Sequence, residues 1–413
     1  MDNKLWLVII SVGLSAAAGF ENGRTELQSG YLTNQQDKAN RTARIVAVGP
    51  DKLYSTPSAA ALVVRDGDIV EIDSAVYSGD AAVWTQNNIT IRGIGRPHIM
   101  ADGAHAEGKG IWVIKGNDVT VENIEFSGAR VPDGNGAAIR FEGSSMQVRQ
   151  CIFHDNQNGF LCGENLNSHI LFESCEFAYN GAGDGYTHNI YIGHVASFTL
   201  KFCYSHHAKI GHNVKSRAEI NYILYNRIMD EKDGTSSFAI DLPNGGKSFI
   251  IGNSIQQGPE TDNSNVISYG AEGLYNQVNQ LYIVNNSFVN DRHYGVFIRL
   301  TEGVPVARVI NNIFYGNADI INGQATILSN IIITKKRMLL LKNPDPGFYD
   351  MANYDYRLTV RSPAINKGIE PGAVDGFDLK PIAQYIHPLK GQKRVTIKSI
   401  DIGAYEYMNL DGP

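Results

Sequence analysis

Cysteine and charge are both scarce in this sequence. The 413 residues include 4 cysteines, and no two of them form a Cys-x-x-Cys pair, which argues against a structural zinc site. Charged residues make up 19% of the chain and the formal net charge is -6. A mildly acidic chain is a poor general binder of nucleic acid, so we expect no nucleic-acid partner. Hydrophobic residues, at 43%, suffice for a large core and exclude disorder over most of the length.

Long apolar runs are absent after the first residues. Residues 5–14 are largely apolar, Lys4 precedes them and residues 15–18 are small. This pattern predicts a secretory signal peptide over residues 1–18, because the run is too short for a spanning helix. An uncleaved anchor is the alternative. Residues 19–41 predict a polar leader. We therefore expect a periplasmic or extracellular protein that contacts no membrane after signal cleavage.

One short phrase recurs along the chain between glycine-rich turns. In each copy a β-rich run leads to Asn or Cys, and an apolar residue follows two places later. The copies are spaced by 18 to 33 residues, mostly by 23 to 28. A period of this length with short strands and no helical pattern indicates a solenoid. The recurring position, here named the column, holds Ile124, Cys151, Cys175, Cys203, Asn226, Asn253, Asn286, Asn312 and Asn330.

Each repeat accommodates about three short strands, and the pattern resembles a right-handed parallel β-helix. Asparagines on successive coils would lie about 4.8 Å apart, so each amide can bond to the next and satisfy buried polar atoms. The column cysteines are expected to be buried thiols, since side chains on stacked parallel strands point the same way. The prediction is an all-β, right-handed parallel β-helix solenoid over residues 42–335.

Both ends of the solenoid predict caps. Thr56 and Pro57, followed by residues 58–64, predict a short helix with an N-cap and proline at its first position. This helix would cover the N-terminal end, which otherwise offers unpaired strand edges. The repeat decays after Asn330, and residues 336–413 predict a C-terminal cap. We expect a monomer.

Histidines are concentrated in one segment. Five of the 11 lie between positions 188 and 212, next to Lys215 and Arg217. Side chains alternate along a strand, so inward Ile190 and Ile192 would turn Tyr191 outward. The same reasoning on the next two coils predicts an exposed row that could form a groove for an extended polymer. The row comprises Tyr191, Lys215 and Asp241, with Asn213 and Arg217 in the same phase and Arg140 and Arg299 continuing it at either end.

The segment Val214-Lys215-Ser216, together with residues 225–228, Gly234, residues 241–245 and residues 252–253, resembles the core of chondroitinase B and its alginate lyase relatives. The resemblance covers roughly a third of the chain. It implies that Lys215 is the base that removes the proton at sugar C5, and that the partner is an acidic polysaccharide. This chain departs from the family on the following coil. The family carries Arg-His-Gly there, whereas this chain has residues 239–244, so the family's arginine is absent at that position. A calcium cofactor is implied by the resemblance only; the residues themselves indicate no cofactor.

Proton abstraction beside a carboxylate needs a base, a group that stabilises the developing charge and an acid for the leaving oxygen. Lys215 is the predicted base. Reprotonation on the opposite face without bond cleavage would give a C5-epimerase, so we predict a lyase or a C5-epimerase of a uronate polymer. The predicted catalytic residues are Lys215, Arg217, His212, His188, Tyr191 and Asp241, and the predicted substrate contacts are Asn189, Asn213, Tyr269, Arg299 and Arg140.

Three other interpretations remain open. Asp241 with Asp184 or Asp230 could form the paired carboxylates of a glycoside hydrolase. The protein could instead be a non-catalytic, carbohydrate-binding surface solenoid. A metal site could also be built from Asp184 with His188, His206 or His207. Because their spacing matches no familiar ligand motif, we predict no metal site.

The interval of 33 residues between column positions Asn253 and Asn286 is the longest. Such an excursion usually forms a wall beside a groove. We expect it near Asp241, with Tyr269 and Glu272 lining a cleft.

Overall fold

The computed structural model describes residues 43–334 and 345–408. The predicted signal peptide over residues 1–18 and leader over residues 19–41 lie outside the described residues. The described residues from Ile45 onward belong to one compact unit. Within the described part of the chain, no helix has the length and apolar character that a membrane crossing requires.

Parallel strands stack into three long sheets, and the chain visits the three in turn before starting the next coil. Each strand therefore pairs with the corresponding strands one coil before and one coil after it. Strands are numbered along the chain. The twelve-stranded sheet contains β1 (Ile45–Val48), β2 (Ile69–Asp73), β5 (Thr90–Ile94), β8 (Val119–Glu122), β11 (Ser145–Arg149), β14 (Asn165–Glu173), β17 (Val195–Lys201), β20 (Ile220–Leu224), β23 (Lys247–Ile251), β26 (Gln280–Val284), β29 (Val306–Ile310) and β32 (Thr326–Leu328).

The other two sheets complete each coil. The eleven-stranded sheet contains β3 (Val76–Ser78), β6 (His98–Met100), β9 (Glu125–Ser127), β12 (Ile152–His154), β15 (Glu176–Ala178), β18 (Tyr204–His206), β21 (Arg227–Met229), β24 (Ser254–Gln257), β27 (Ser287–Asn290), β30 (Ile313–Gly316) and β33 (Ile331–Thr334). The ten-stranded sheet contains β4 (Ala82–Trp84), β7 (Gly110–Ile114), β10 (Ala137–Phe141), β13 (Asn158–Cys162), β16 (Ile190–Ile192), β19 (Val214–Ser216), β22 (Ile240–Leu242), β25 (Asn265–Tyr269), β28 (Val296–Leu300) and β31 (Asp319–Asn322).

The core lies inside the coils and is built from like residues stacked on like. Phe126, Phe153 and Phe177 hold register-matched positions on β9, β12 and β15. Their rings stack with centroids 5.4 and 4.8 Å apart. All three side chains are buried. Repetition of one residue type at one place in each coil thus turns a short sequence period into a continuous apolar column.

The asparagine column is buried and stacked, as predicted. Asn226 Nδ2 donates to Asn253 Oδ1 at 3.0 Å, and Asn253 Nδ2 donates to Asn286 Oδ1 at 2.9 Å. Asn312 continues the series toward Asn330. Each Oδ1 also accepts the backbone N–H of the preceding column residue. The amides therefore satisfy main-chain groups that the corner between two sheets would otherwise leave unpaired.

The corner itself depends on a left-handed residue directly before each column position. Tyr225 has φ 56°, and Gly252 and Asn285 have φ 69° and 53°. Non-glycine residues adopt this region at a cost of about 1–2 kcal/mol, and the column hydrogen bonds offset that cost. Each column cysteine also follows a left-handed residue. All four cysteines are buried and free, which confirms the prediction of buried thiols.

A short helix precedes the first full coil. It spans Pro57–Ala61, so it begins at the predicted proline but ends before the predicted residue 64, and it is named α1. Thr56 is its N-cap and accepts a hydrogen bond from the Ala59 N–H, with proline at the first position as predicted. The helix packs against β1 and β4, the terminal strands of their sheets. It therefore lies at the end where the stack begins.

Residues 345–408 of the predicted C-terminal cap lie along the side of the stack. Tyr356 and Tyr405 pack with Met229 and Val289 of the eleven-stranded sheet. Arg227 Nη1 donates to the Tyr354 carbonyl at 3.0 Å. This segment therefore covers the outer faces of several coils. It contains a 3-10 turn (Met351–Asn353) and three antiparallel pairs: β34 (Phe348–Asp350) with β35 (Asp355–Leu358), β36 (Ala373–Val374) with β37 (Phe377–Asp378), and β38 (Ala383–Ile386) with β39 (Lys390–Lys393).

Replacing Asn253 with Leu should lower the free energy of unfolding by about 1–3 kcal/mol, because its neighbours in the column lose buried hydrogen-bond partners. Urea unfolding followed by circular dichroism would measure the change. Asn167 is exposed, and Asn167→Leu is the matched control, with an expected change within about 0.5 kcal/mol. Equal effects of the two substitutions would contradict a structural role for the column.

Candidate functional site

Outward-facing side chains of the ten-stranded sheet form a row across adjacent coils. The predicted neighbours Tyr191, Lys215 and Asp241 are direct register partners on β16, β19 and β22. Inward residues on both sides of each, such as Ile190 and Ile192, are buried. The strand-phase prediction is confirmed for Tyr191, Lys215 and Asp241. Between the two predicted arginines the row reads Arg140, Leu161, Tyr191, Lys215, Asp241, Ser268 and Arg299.

The middle of this row is more enclosed than predicted. Asp241 is only 4% exposed, and the Lys215 side chain is 13% exposed. The chain after β25 supplies the cover, because Glu272 reaches back over Lys215 and Arg217. The expectation of a fully exposed row is therefore wrong at Asp241. The expectation that Glu272 of the long coil lies beside this site is confirmed.

Arg217 is the best-anchored cation of the site. Its guanidinium binds the Glu272 carboxylate through two nitrogens, at 2.7 and 2.9 Å. Its Nε donates to the Tyr191 hydroxyl at 3.0 Å, and Nη1 also donates to Asn244. Burial disfavours the charge, but the bonds to Glu272 and Tyr191 outweigh burial and raise the pKa of Arg217. The same contact with Arg217 lowers the pKa of Glu272.

Lys215 lies between two carboxylates. Its Nζ is 3.9 Å from Asp241 Oδ2 and 3.8 Å from Glu272 Oε1. It also lies 5.7 Å from the centroid of the Tyr191 ring. The Lys215 side chain is therefore held over the sheet, where it approaches both carboxylates of the site. Arg217 shares Glu272 with it.

His188 and His212 form a stacked pair of neutral imidazoles. Their ring centroids are 4.5 Å apart, and the His212 N–H of the main chain donates to His188 Nδ1 at 3.0 Å. Burial, with the charges of nearby cations, holds the pKa of His188 well below its usual value. Burial and Lys215 lower the pKa of His212 to about 3. Because His188 Nδ1 accepts a hydrogen bond, the neutral ring carries its proton on Nε2.

Three buried polar atoms in the middle of the row have no hydrogen-bond partner among the described residues: Asp241 Oδ1, His212 Nδ1 and Ser268 Oγ. His212 Nε2 lies 3.4 Å from Asp241 Oδ2. Burial raises the pKa of Asp241 to about 6, and the charge of Lys215 opposes this rise. Unpaired buried atoms beside a perturbed carboxyl are typical of a functional site.

Asn189 and Asn213 do not contact solvent, so their prediction as substrate-binding residues is wrong. Both are completely buried. Asn189 Nδ2 donates to Asn213 Oδ1 at 3.0 Å, and Asn180 Nδ2 donates to Asn189 Oδ1 at 2.9 Å. They belong to a second asparagine column at the corner between the eleven- and ten-stranded sheets. Asn156 begins this column.

Tyr269 also differs from its prediction. It is register partner to Leu242 and Leu300 in the ten-stranded sheet, so it points into the core. Its hydroxyl donates to the Gly246 carbonyl at 2.6 Å. The residue that faces outward on that strand is Ser268. Arg140 and Arg299 lie in the row as predicted, two strands away from Tyr191 and Asp241 respectively.

The histidine-rich segment separates into distinct groups in the structure. His206 and His207 contact Glu176 and Asp233 on the eleven-stranded face. His194 contacts Glu219. Asp184 binds its own turn through Thr187. The metal grouping considered from sequence is therefore not assembled.

Asp230, one of two predicted hydrolase partners for Asp241, ends the second asparagine column. It accepts hydrogen bonds from Asn213 and Ser236 and is 1% exposed. Burial raises its pKa to about 6. Since its oxygens are committed to the column, Asp230 is not available as the second carboxylate.

Calcium does not fit the donors around Lys215. Ca²⁺ takes six to eight oxygen ligands, whereas the described residues here offer the Asp241 and Glu272 carboxylates among two cations and an imidazole. Glu272 is already bound to Arg217.

Comparison with known proteins identifies the fold. The family model "Right handed beta helix region" matches residues 52–189. A crystal structure of a pectate lyase is 13% identical, with 89% of this chain and 97% of that chain covered and a TM-score of 0.57. These two findings show that the solenoid is a right-handed parallel β-helix.

Two further solved structures give lower scores. The A-module of a mannuronan C-5 epimerase from Azotobacter vinelandii is 12% identical, with coverage of 70% and 88% and a TM-score of 0.38. A PL6-family alginate lyase is 14% identical, with coverage of 71% and 40% and a TM-score of 0.36. No curated protein sequence matches the chain.

His212 should stay neutral throughout the range in which an ordinary histidine titrates. Its pKa of about 3 lies below the ordinary value of about 6.5, so the unfolded chain binds the proton first. Stability from this group is therefore lost as the pH falls from 6.5 toward 3. Histidine NMR between pH 8 and pH 5 should show no titration of His212. A His212 midpoint near 6.5 would contradict the buried neutral pair.

Proposed function

We propose that the protein is a polysaccharide-active enzyme that removes the C5 proton of a uronate residue, as a lyase or a C5-epimerase. One observation carries the proposal. Arg217 binds the Glu272 carboxylate through two hydrogen bonds, and Lys215 Nζ lies within 4 Å of that same carboxylate. Planar, two-point binding of a carboxylate is what a guanidinium recognises best. The pectate lyase that shares the fold supports an acidic polysaccharide as the substrate class.

Substrate binding begins when a carboxylate of the substrate replaces the Glu272 carboxylate on Arg217. Glu272 belongs to the segment after β25, and its side chain is 48% exposed. A uronate carboxylate can therefore replace it on Arg217. The sugar C5, one bond from that carboxylate, would then lie beside Lys215. Arg140 and Arg299 are each three strands away from Lys215 along the row, roughly 14 Å by strand spacing, and are positioned to bind neighbouring acidic sugars.

Lys215 is the base in this proposal. It reacts as the free amine, and the Asp241 carboxylate lies 3.9 Å from its Nζ. The amine of Lys215 then takes the C5 proton, and the electrons of the C5–H bond move into an enolate of the carboxylate. Arg217 stabilises the charge that develops on the carboxylate oxygens.

Tyr191 completes the reaction as the proton donor. Its hydroxyl, already bonded to Arg217, lies in the row next to Lys215. In a lyase, the enolate electrons form the C4–C5 double bond, the C4–O4 bond breaks and Tyr191 protonates O4. In an epimerase, the C4–O4 bond stays intact and a proton returns to the opposite face of C5. The neutral His188 ring, stacked on Tyr191 with centroids 5.6 Å apart, supports the tyrosine.

A glycoside hydrolase is the second candidate. It is favoured by a carboxylate pair that differs from the one predicted from sequence, namely Asp241 with Glu272. Asp241 and Glu272 both lie within 4 Å of Lys215 Nζ, so their oxygens are within about 8 Å of each other. Hydrolases place their two carboxyl groups roughly 5 to 9.5 Å apart. The raised pKa of Asp241 suits a general acid, and the lowered pKa of Glu272 suits a base.

Lys215→Ala should lower kcat on uronate polymers by about 10²- to 10⁴-fold, the contribution expected of a general base. Ultraviolet absorbance of the unsaturated product reports lyase action, and NMR of C5 inversion reports epimerase action. Lys247 pairs with Asp375 outside the row, and Lys247→Ala is the control with unchanged activity. If Asp241→Asn abolishes release of reducing ends while Lys215→Ala only weakens binding, the protein is a hydrolase.

Glu272→Gln should lower KM several-fold with little change in kcat, because the amide competes less well than a carboxylate for Arg217. Steady-state kinetics on the polymer cleaved by the wild-type protein would measure both constants. Glu260 is exposed in the same long coil, and Glu260→Gln should change neither constant. A large fall in kcat for Glu272→Gln would favour the hydrolase instead.

A further inference from the structure

A second cluster of ionisable side chains lies on a different sheet from the site above. His98, Glu125 and His154 occur on β6, β9 and β12, three successive strands of the eleven-stranded sheet. We propose that these three side chains bind a divalent transition-metal ion such as Zn²⁺. Each ligand comes from a different coil, so the ion would join three coils of the stack.

The ligand atoms already converge. Glu125 Oε1 is 3.1 Å from His154 Nε2 and 3.8 Å from His98 Nδ1. All three ligand atoms lie within 4.8 Å of one another. Zinc binds nitrogen and oxygen at about 2.0–2.2 Å, so ligand atoms of a tetrahedral ion are roughly 3.3 Å apart. Small side-chain rotations therefore suffice to enclose an ion without movement of the strands.

The remaining ring nitrogens are held by partners outside the cluster. His98 Nε2 lies 2.7 Å from Ser127 Oγ, and His154 Nδ1 lies 2.9 Å from an Asp155 carboxylate oxygen. A histidine that binds a metal typically bonds its other nitrogen to a carboxylate, hydroxyl or carbonyl group, which orients the ring. Both rings of this cluster have such a partner, so each presents its free nitrogen to Glu125.

The donor set selects the kind of ion. Two imidazoles and one carboxylate suit zinc and its neighbours, whereas calcium and magnesium prefer oxygen ligands alone. The three side chains are between 23 and 29% exposed, so the site is open to solvent on one side. Three protein ligands leave a coordination position for water or for a group of a bound molecule.

The alternative explanation is an ion pair. Protonated His154 beside Glu125 and Asp155 would account for the short contacts without any metal. The metal site predicts stoichiometric binding of an ion and a large effect of replacing His98. The ion pair predicts neither, because His98 contributes little to it.

The test is titration of the untagged full-length protein, stripped with a chelator, with Zn²⁺ by calorimetry and with Co²⁺ by visible absorption. We expect one ion per chain and a Co²⁺ spectrum of low coordination number. His98→Asn and His154→Asn should each weaken binding by at least 100-fold. Asp155→Asn should weaken it by about 10- to 100-fold, as for other residues that orient a metal ligand. The metal-free variants should keep the circular dichroism spectrum of the metal-free wild type.

Two histidines serve as controls. His169 also contacts a serine hydroxyl, Ser197, at 2.7 Å, and His169→Asn should leave Zn²⁺ binding unchanged. His206 lies further along the eleven-stranded sheet beside Glu176, and His206→Asn should also have no effect. Binding that survives His98→Asn and His154→Asn, binding lost in His206→Asn, or no stoichiometric binding would overturn the proposal.

Discussion

Every functional feature of this protein depends on the register in which one coil hydrogen-bonds to the next. Parallel pairing places equivalent residues of successive coils about 4.8 Å apart. Residues separated by a whole coil in sequence therefore become nearest neighbours. The stacked rings of Phe126, Phe153 and Phe177 show the effect in the core. The contacts between Tyr191, Lys215 and Asp241 show the same effect on the surface.

Buried polar groups maintain that register. An apolar side chain tolerates a small shift, whereas an amide that loses its partner inside the core costs about 1–3 kcal/mol. The structure contains two asparagine columns, one through Asn253 and one through Asn189. Each lies at a corner between sheets, where the backbone turns and main-chain groups need partners. The columns therefore fix the corners, and the corners fix which side chains face outward on the following strand.

The candidate site combines low exposure with a balance of charges. Arg217 and Lys215 share Glu272, while Asp241 approaches both Lys215 and the neutral His212. Burial drives the pKa of the Asp241 carboxyl upward to about 6 and the pKa values of the imidazoles downward. Near neutral pH the imidazoles are therefore uncharged, while Asp241 is still ionised. In the proposed mechanism, the Arg217 guanidinium is the fixed cation for an anionic substrate, and Glu272 is the carboxylate that the substrate replaces.

The sequence alone determined the solenoid, the first asparagine column and the row of Tyr191, Lys215 and Asp241. These follow from local rules, because the repeat length sets the coils and the two-residue period of a strand sets which side chains point outward. It did not reveal that Asn189 and Asn213 are buried, since both lie at a corner where the two-residue period stops.

Nor did the sequence reveal that Tyr269 is a core residue, because it ends a strand directly before the long loop of residues 270–279. The grouping of His98, Glu125 and His154 was likewise decided only by the tertiary structure. Their separations of 27 and 29 residues resemble no ligand motif. They become neighbours because each intervening coil closes on the strand before it, and that closure depends on hydrogen bonds between residues distant in the chain.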